Sequence, residues 1–415
     1  MMRQMASERS PEAAASVVED GDTVVVDSAR PRSLLEALAA RSDLSDVSVY
    51  AYGYPYDDSD ALASVATTSG VSLAVSMVPP GLRDLVADGT VSYVPRTLYS
   101  VARNPFSDPA DGRRVALLGA SAAGQDGYRL NCLSTFGAEL ADQADVTLVE
   151  ENTEVPPTSS RVVRTSNVTC VTESGAPSPV LSRSPVDETV RDIARNIASL
   201  IPEYPTLQLG VGSTANALGD ELIDRGPFDI WSGLVGEPAR TLAEAGAVRG
   251  LNGVIAAGHD DSFYEWVETR DDLRLSSPLR VHDQSTLTSL PRFVAVNSAL
   301  QVDLTGQVNA ETVEGRPLGG IGGQMAFMRG ASLAPDGIAI IALTSRTPSG
   351  SPKVVPSLGG GDPTTTPRHA VDAVVTEHGV ADLRNRSIGE RTEALLSVAH
   401  PDDRSELRDS VGGAG

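Results

Sequence analysis

Lysine is all but missing from this chain. Lys353 is the single one in 415 residues, so nearly all of the 33 basic side chains are arginine, and they face 55 acids for a net charge of −22. A surface of that kind repels itself in dilute buffer. In about 1 M salt the screening length shrinks to roughly 3 Å and the repulsion fades, so the expectation is a protein of a very salty cytoplasm. The shortage of positive charge speaks against nucleic acid as a partner, because neutralising phosphates takes clustered Lys and Arg. An anionic small ligand needs a local exception to the global field.

Cysteine is nearly as scarce. Cys132 and Cys170 are spaced neither for zinc nor for a disulfide framework and are expected as small buried hydrophobes. The five histidines are scattered, with no HExxH and no convincing i, i+4 pair, so no metal site is expected. No apolar run approaches the roughly 18 residues that span a bilayer. The opening MMRQMASERSPEAAASVVEDGD has no apolar core of a signal peptide. A cytoplasmic protein with no membrane partner is the expectation.

What is present is a turn-rich globular composition, 40% hydrophobic with 38 Gly and 27 Pro, in a chain long enough for two domains. Ser10 can cap a helix with Pro11 in its first turn, TVVVD (residues 23–27) reads as a buried strand, and a second helix follows from Pro31 through Ala40. The alternation continues through VSVYAYG, VSLAVSM, VALLGA and VTLVEEN, the pattern of a mainly parallel sheet with helical crossovers. Residues 155–190, rich in Pro, Ser and Thr, read as a long, partly extended connection. A helix over DETVRDIARNIASLI then opens a second α/β set. The division expected is residues 1–190 and 191–415.

Three strand-to-turn junctions could carry chemistry. In LQLGVGSTANALGDELID, Gly210, Gly212 and Ala215 satisfy the dinucleotide pattern GxGxxG/A, and Asp229 lies where a ribose-binding acid would sit, which keeps a nicotinamide-dependent oxidoreductase open. The same glycines suit any close strand-to-helix turn. In RPLGGIGGQMAFMRGA, Gly319, Gly320, Gly322 and Gly323 around Ile321 let the backbone pass close to a ligand and aim N–H groups at a developing oxyanion. A plain flexible loop is the alternative. In NSALQVDLTGQVNAE, Asn297 and Ser298 stand at a strand's carboxyl end, placed to bond a ligand or to satisfy their own turn.

Taken together, LQLGVGSTANAL, NSALQVDLTGQVNAE, GGIGGQMAFMRGA, VVPSLGGGDPTTTPR and VVTEHGVADLRNRSIGERTEALLSVAHPD resemble, in order and spacing, the acetyl-CoA hydrolase/transferase family of class I coenzyme A transferases. The likeness is dense from Thr206 to Arg404. It is looser in SARPRSLLEALA, GYRLNCLSTFG and VTLVEEN. The resemblance implies two similar open α/β/α domains with mainly parallel sheets and acyl-CoA held in the cleft between them. It further implies transfer of CoA between small carboxylic acids through a glutamyl-CoA thioester. Coenzyme A would be a substrate, with no metal or redox cofactor, and assembly as a homo-oligomer, or with a related subunit, is expected. Gly320, Ile321, Gly322 and Gly323 correspond to the CoA-contacting and oxyanion loop, while Gly210, Gly212, Ser213, Asn297 and Ser298 would line the substrate cleft.

One junction departs from the family. In FDIWSGLVGEPARTLAEAGAV, anchoring on Glu244, Ala245 and Gly246 puts the family's Thr-Glu on Ser232 and Gly233, so the glutamate that should form the thioester is a glycine. Gln301 stands where Glu is common, Ala326 where Asp is common, and VHDQ (residues 281–284) replaces a stretch usually containing Asn-Asp-Pro. Losing a covalent nucleophile costs on the order of 10⁶ in rate in the subtilisin case. Three alternatives follow. Another carboxylate could act, with Glu237 the nearest, although its plain role is to complement a helix dipole. Ser232 could act with His259 or His282 as partner. Or the chain could be a CoA-binding protein whose glutamate comes from a related subunit.

Overall fold

The computed structural model describes residues 7–29, 31–53, 59–106, 112–124, 127–359 and 361–412. Its segments group into two compact units: residues 1–182, 253–280 and 317–322 in the first, and residues 183–252, 281–316 and 323–415 in the second. The chain therefore does not divide at one point near residue 190, since two later excursions return to the first unit.

The first unit opens as its residues dictate. Ser10 Oγ accepts the Ala13 N–H at 3.3 Å and Pro11 begins the short helix Pro11–Ala15. Thr23–Val26 is a buried strand, and Arg32–Ala39 follows as a helix with Leu34, Leu35 and Leu38 turned inward. The Arg32–Ala39 helix has no side-chain cap of its own. Its exposed amide is met instead by Glu150 from a distant strand, whose Oε2 accepts the Leu34 N–H at 3.0 Å.

The parallel sheet of this unit runs, in spatial order, Ser7–Glu8, Cys170–Ser174, Val146–Asn152, Arg114–Ala123, Thr23–Val26, Val47–Ala51, Val71–Val75 and Val91–Tyr93. Val24, Val49, Leu73, Val115 and Leu117 join the helix residues Leu34, Leu38 and Val65 in one core. Each fully buried Val or Leu contributes about 1.5–3 kcal/mol, so the Val-rich runs and the amphipathic helices reinforce one another. Much of the expected connection is sheet as well. Pro157–Arg164 pairs antiparallel with Gly127–Asn131, and Cys170–Ser174 pairs with Val146–Asn152. The long irregular stretch is residues 175–187, up to the Asp187 cap of the helix Glu188–Ala198. Cys132 and Cys170 are buried free thiols, and burial pushes the Cys132 thiol far up.

The second unit repeats the plan. Its sheet runs Val248–Gly253, Phe228–Trp231, Thr206–Gln208, Phe293–Ser298, Ile338–Ala342 and Ala373–Thr376, all parallel, and then Gly379–Asp382 antiparallel. In both units strand order reverses beside the earliest central strand: between Thr23–Val26 and Arg114–Ala123 in the first, and between Thr206–Gln208 and Phe293–Ser298 in the second. The two sheets are thus similar open α/β structures, each with a topological switch point. Ligands of open α/β sheets bind beyond the carboxyl ends of the strands at such a point. Among the described residues no helix is long and apolar enough to cross a membrane.

Candidate active site

The switch point of the second unit gathers most of the residues singled out from sequence. Gln208 ends its strand buried, and Asn297 donates Nδ2–H to Gln208 Oε1 at 2.7 Å, tying the two reversing strands together. Asn297 is half-buried in this bond, whereas Ser298 beside it is exposed. Gly210 follows, where a Cβ would meet only the Val296 carbonyl, at an ordinary contact distance of 3.9 Å. Gly212 has φ +103°, a left-handed conformation that favours glycine, and from there the ten-residue helix Ser213–Leu222 begins with Ser213 half-exposed.

The dinucleotide pattern fails on its acid. Asp229 pairs in register with Thr206, near the amino end of its strand, and its carboxylate is held by Arg249. Ligands gather at the opposite end of the sheet, so Asp229 does not face the Gly210–Gly212 turn.

The next strand end is Trp231-Ser232-Gly233, where the family resemblance leads one to expect a glutamate. Ser232 is buried, and its hydroxyl donates to the Leu209 carbonyl at 2.7 Å, which makes it a strand-end fastener rather than a poised nucleophile. His259, one of its two suggested partners, lies in the first unit with Nδ1 2.8 Å from the Leu181 carbonyl. Glu237 opens the helix Glu237–Glu244, where an acid complements the dipole, and its carboxylate lies 3.9 Å from Arg240.

His282 is the residue that reaches Gly233. The Trp231 indole donates Nε1–H to the Val281 carbonyl at 3.0 Å, which anchors the following residue beside the strand end. The His282 ring is buried and lies 4.7 Å, centroid to centroid, from Phe327. A Cβ on Gly233 would sit 3.5 Å from His282 Nε2 and 3.4 Å from the Phe327 ring, whereas one on Gly323 would fall 2.2 Å from that same Nε2. Two glycines therefore wall the imidazole, and Gly323 must lack a side chain for the ring to stay. Gly323 also precedes the ten-residue helix Gln324–Leu333, whose first amides point toward this end of the sheet.

Two of the other expected departures, residues 281–284 and Ala326, lie together. Gln284 donates Nε2–H to the Ala326 carbonyl at 3.0 Å, and Asp283 caps the helix Gln284–Ser289. Hydrogen bonds from Ser285 and Thr286 hold the Asp283 carboxyl below the usual range. Gln301 lies farther on, in the strand Gln301–Asp303 paired with Val308–Asn309.

Gly320, Ile321 and Gly322 group with the first unit, and there the glycines have a packing reason. A Cβ on Gly320 would meet the Ser76 carbonyl at 2.3 Å, Gly319 accepts the Val78 N–H at 3.1 Å, and Gly322 has φ +59°. The first unit also holds a cavity lined by Thr23, Val25, Tyr50, Ala74, Val94 and Phe106. Sequence reading missed Gln208, Trp231 and Phe327. Phe327 follows Gly323 by one helical turn, and that spacing was the available signal.

A model of the acetyl-CoA hydrolase/transferase C-terminal domain matches residues 260–411. The 4-hydroxybutyrate coenzyme A transferase of Clostridium kluyveri is 30% identical over 336 residues, covering 78% of either chain. The chain belongs to the acetyl-CoA hydrolase/transferase family. Another relative in that family, the acetyl-CoA hydrolase of Kluyveromyces lactis, is 30% identical over 260 residues, 58% of this chain and 49% of that one. The crystal structure of RipA from Yersinia pestis superimposes with a TM-score of 0.88 at 25% identity, over 98% of this chain and 97% of RipA. The family's expected architecture of two α/β units is the one observed.

Proposed function

We propose that the chain acts on short-chain acyl-CoA thioesters, and that it cleaves them with water more readily than it passes CoA to another acid. The observation that carries this reading is Gly233. It stands at the carboxyl end of Phe228–Trp231, where the family resemblance puts the thioester-forming glutamate, and it offers no carboxylate. Without that group a glutamyl-CoA intermediate cannot form, whereas hydrolysis needs only a base, a water and an oxyanion partner. Acetyl-CoA hydrolases occur among the relatives, which supports the same choice.

A second reading keeps the binding and drops the turnover: a CoA-binding chain whose catalytic carboxylate comes from a related subunit. The position at Gly233 favours it, because a Cβ there would make only ordinary contacts, so its surroundings do not require a glycine. No metal or redox cofactor enters either reading.

The test is incubation of the purified protein with acetyl-CoA or propionyl-CoA, with and without acetate or succinate, in molar potassium chloride suited to the net charge of −22. Free thiol and exchanged acyl-CoA are read separately. Thiol release independent of the added acid is expected. Exchange without thiol release would instead make the chain a transferase, and tight CoA binding with neither product would make it a binding subunit.

A further inference from the structure

We propose that Arg83 binds a phosphate group of coenzyme A. The inference rests on the acyl-CoA reading above and adds the side chain that takes the ligand's negative charge. A chain of net charge −22 can hold such a ligand only where a cation is set apart from its acids. Arg41, Arg114, Arg249 and Arg384 do not qualify, because each lies against an aspartate. Arg83 is exposed, and among the described residues its guanidinium pairs with no carboxylate. Its one hydrogen bond there is from Nη2–H to the Leu318 carbonyl at 3.0 Å.

The backbone beneath Arg83 is stiff. The chain leaves the strand Val71–Val75 through Ser76, Met77 and Val78 and turns at Pro79 and Pro80, whose rings fix φ, into the short helix Arg83–Ala87. Gly81 is pressed on the buried Ser59, since a Cβ there would fall 2.2 Å from its hydroxyl. The bond to Leu318 then fixes the guanidinium while leaving most of its donor fork unspent. An anion that meets a fork held in this way costs little further ordering.

The loop after Leu318 is polarised in the same sense. Gly319 gives its carbonyl to the Val78 N–H at 3.1 Å, and Gly322 gives its carbonyl to the Leu98 N–H at 3.5 Å. Among the described residues no acceptor takes the N–H of Gly319, Gly320, Ile321 or Gly322. A segment with its carbonyls tied down and its amides unspent favours an anion beside it. Loop and arginine both lie beyond the carboxyl end of Val71–Val75, and ligands of open α/β sheets gather at that end.

The experiment is calorimetric titration of the full chain in molar potassium chloride with CoA, with 3′-dephospho-CoA and with pantetheine, which carries no phosphate. Arg83→Gln should weaken CoA about 10- to 30-fold, as expected for a hydrogen-bonded charge, and leave pantetheine within about twofold of wild type. Arg83→Lys keeps the charge and loses the fork, so a loss of about three- to tenfold is expected. Arg164→Gln removes the same charge from an exposed residue of the strand Pro157–Arg164. With a screening length of roughly 3 Å in that salt, it should leave CoA within about twofold. Dephospho-CoA tells the phosphates apart. A loss that persists with it puts the contact on the diphosphate, one that vanishes puts it on the 3′-phosphate, and either upholds the proposal. CoA affinity of Arg83→Gln within about twofold of wild type overturns it, as does an equal loss for pantetheine or in Arg164→Gln. A wild type that binds no CoA overturns the acyl-CoA reading itself.

Discussion

The two switch points of this molecule share a topology and differ in what stands at them. In the first unit, Asp27 directly follows the central strand and is fully buried, with Oδ1 accepting the Thr135 N–H at 3.1 Å, the Thr135 hydroxyl at 3.0 Å and the Phe136 N–H at 3.1 Å. Arg161 lies buried nearby, donates to the Ser134 and Thr135 carbonyls, and stands 3.7 Å from Glu139. Burial draws its guanidinium below the ordinary value, and the charges of Glu139 and Asp27 oppose that. In the second unit the strand end next to the switch point holds Gly233, with Gly323 and the buried His282 ring beside it. One strand end is fixed by charge lashed to backbone, and at the other missing side chains make room for a buried ring. A shared fold therefore does not fix what stands at its strand ends.

That contrast can be broken most severely at Arg161. Replacing it by Met leaves the buried Asp27 and the half-buried Glu139 without their counter-charge, and urea unfolding at fixed salt should report a loss of about 3–5 kcal/mol. A loss under 1 kcal/mol would mean that the first crevice is not held by its charges.

A smaller effect is expected on the open side. Gly323→Ala drives a Cβ to 2.2 Å from His282 Nε2 and should cost about 1–3 kcal/mol as an overpacked position. Most of that cost should vanish when Gly323→Ala is combined with His282→Ala, and a double-mutant cycle on thermal unfolding measures the coupling. Strict additivity of the two changes would show that the glycine and the ring do not constrain each other.

Gly233→Ala sharpens the same side, since its Cβ meets only ordinary contacts of 3.4–3.5 Å. Unfolding free energy, read from urea midpoints, should stay within about 0.5 kcal/mol of wild type, and a loss above about 1 kcal/mol would show that the place is closed to a side chain.

The smallest effect belongs to a buried acid of the first unit. Burial raises the Glu150 carboxyl above its usual range, against hydrogen bonds from the Leu34 N–H and Ser174 that lower it. The stability linked to its protonation is therefore full below about pH 4.3, the ordinary glutamate value, and is lost as pH rises through the raised one. Glu150→Gln, which mimics the neutral acid, should gain on the wild type between about pH 4 and 7 by less than about 1 kcal/mol, read from urea midpoints. A variant that instead loses ground over that interval would show that Glu150 is held ionised.

Much of the fold was legible because local signals agreed. TVVV, VSVYA and VSLAV each lie in a buried parallel strand, and Ser10 with Pro11 starts the first helix as its chemistry requires. Residues 155–190 were misread as mostly connection because edge and crossover strands rich in Thr, Ser and Pro lack the apolar alternation that marks a strand. Asp229 was misplaced for another reason: spacing along the chain does not say at which end of a strand a side chain stands.

The amino-acid sequence by itself determined the parallel α/β layers, the family and the excess of acid, since each depends on composition or on neighbours along the chain, and it put a glycine at position 233. Only the tertiary structure decided what borders that place. Gly233, His282 and Gly323 lie on segments far apart in sequence, and packing of Trp231 on Val281 and of Phe327 on the imidazole brings them together. It likewise decided that Glu150 would meet the amide left open in the Arg32–Ala39 helix, because an unsatisfied buried N–H takes whichever acceptor the fold delivers to it.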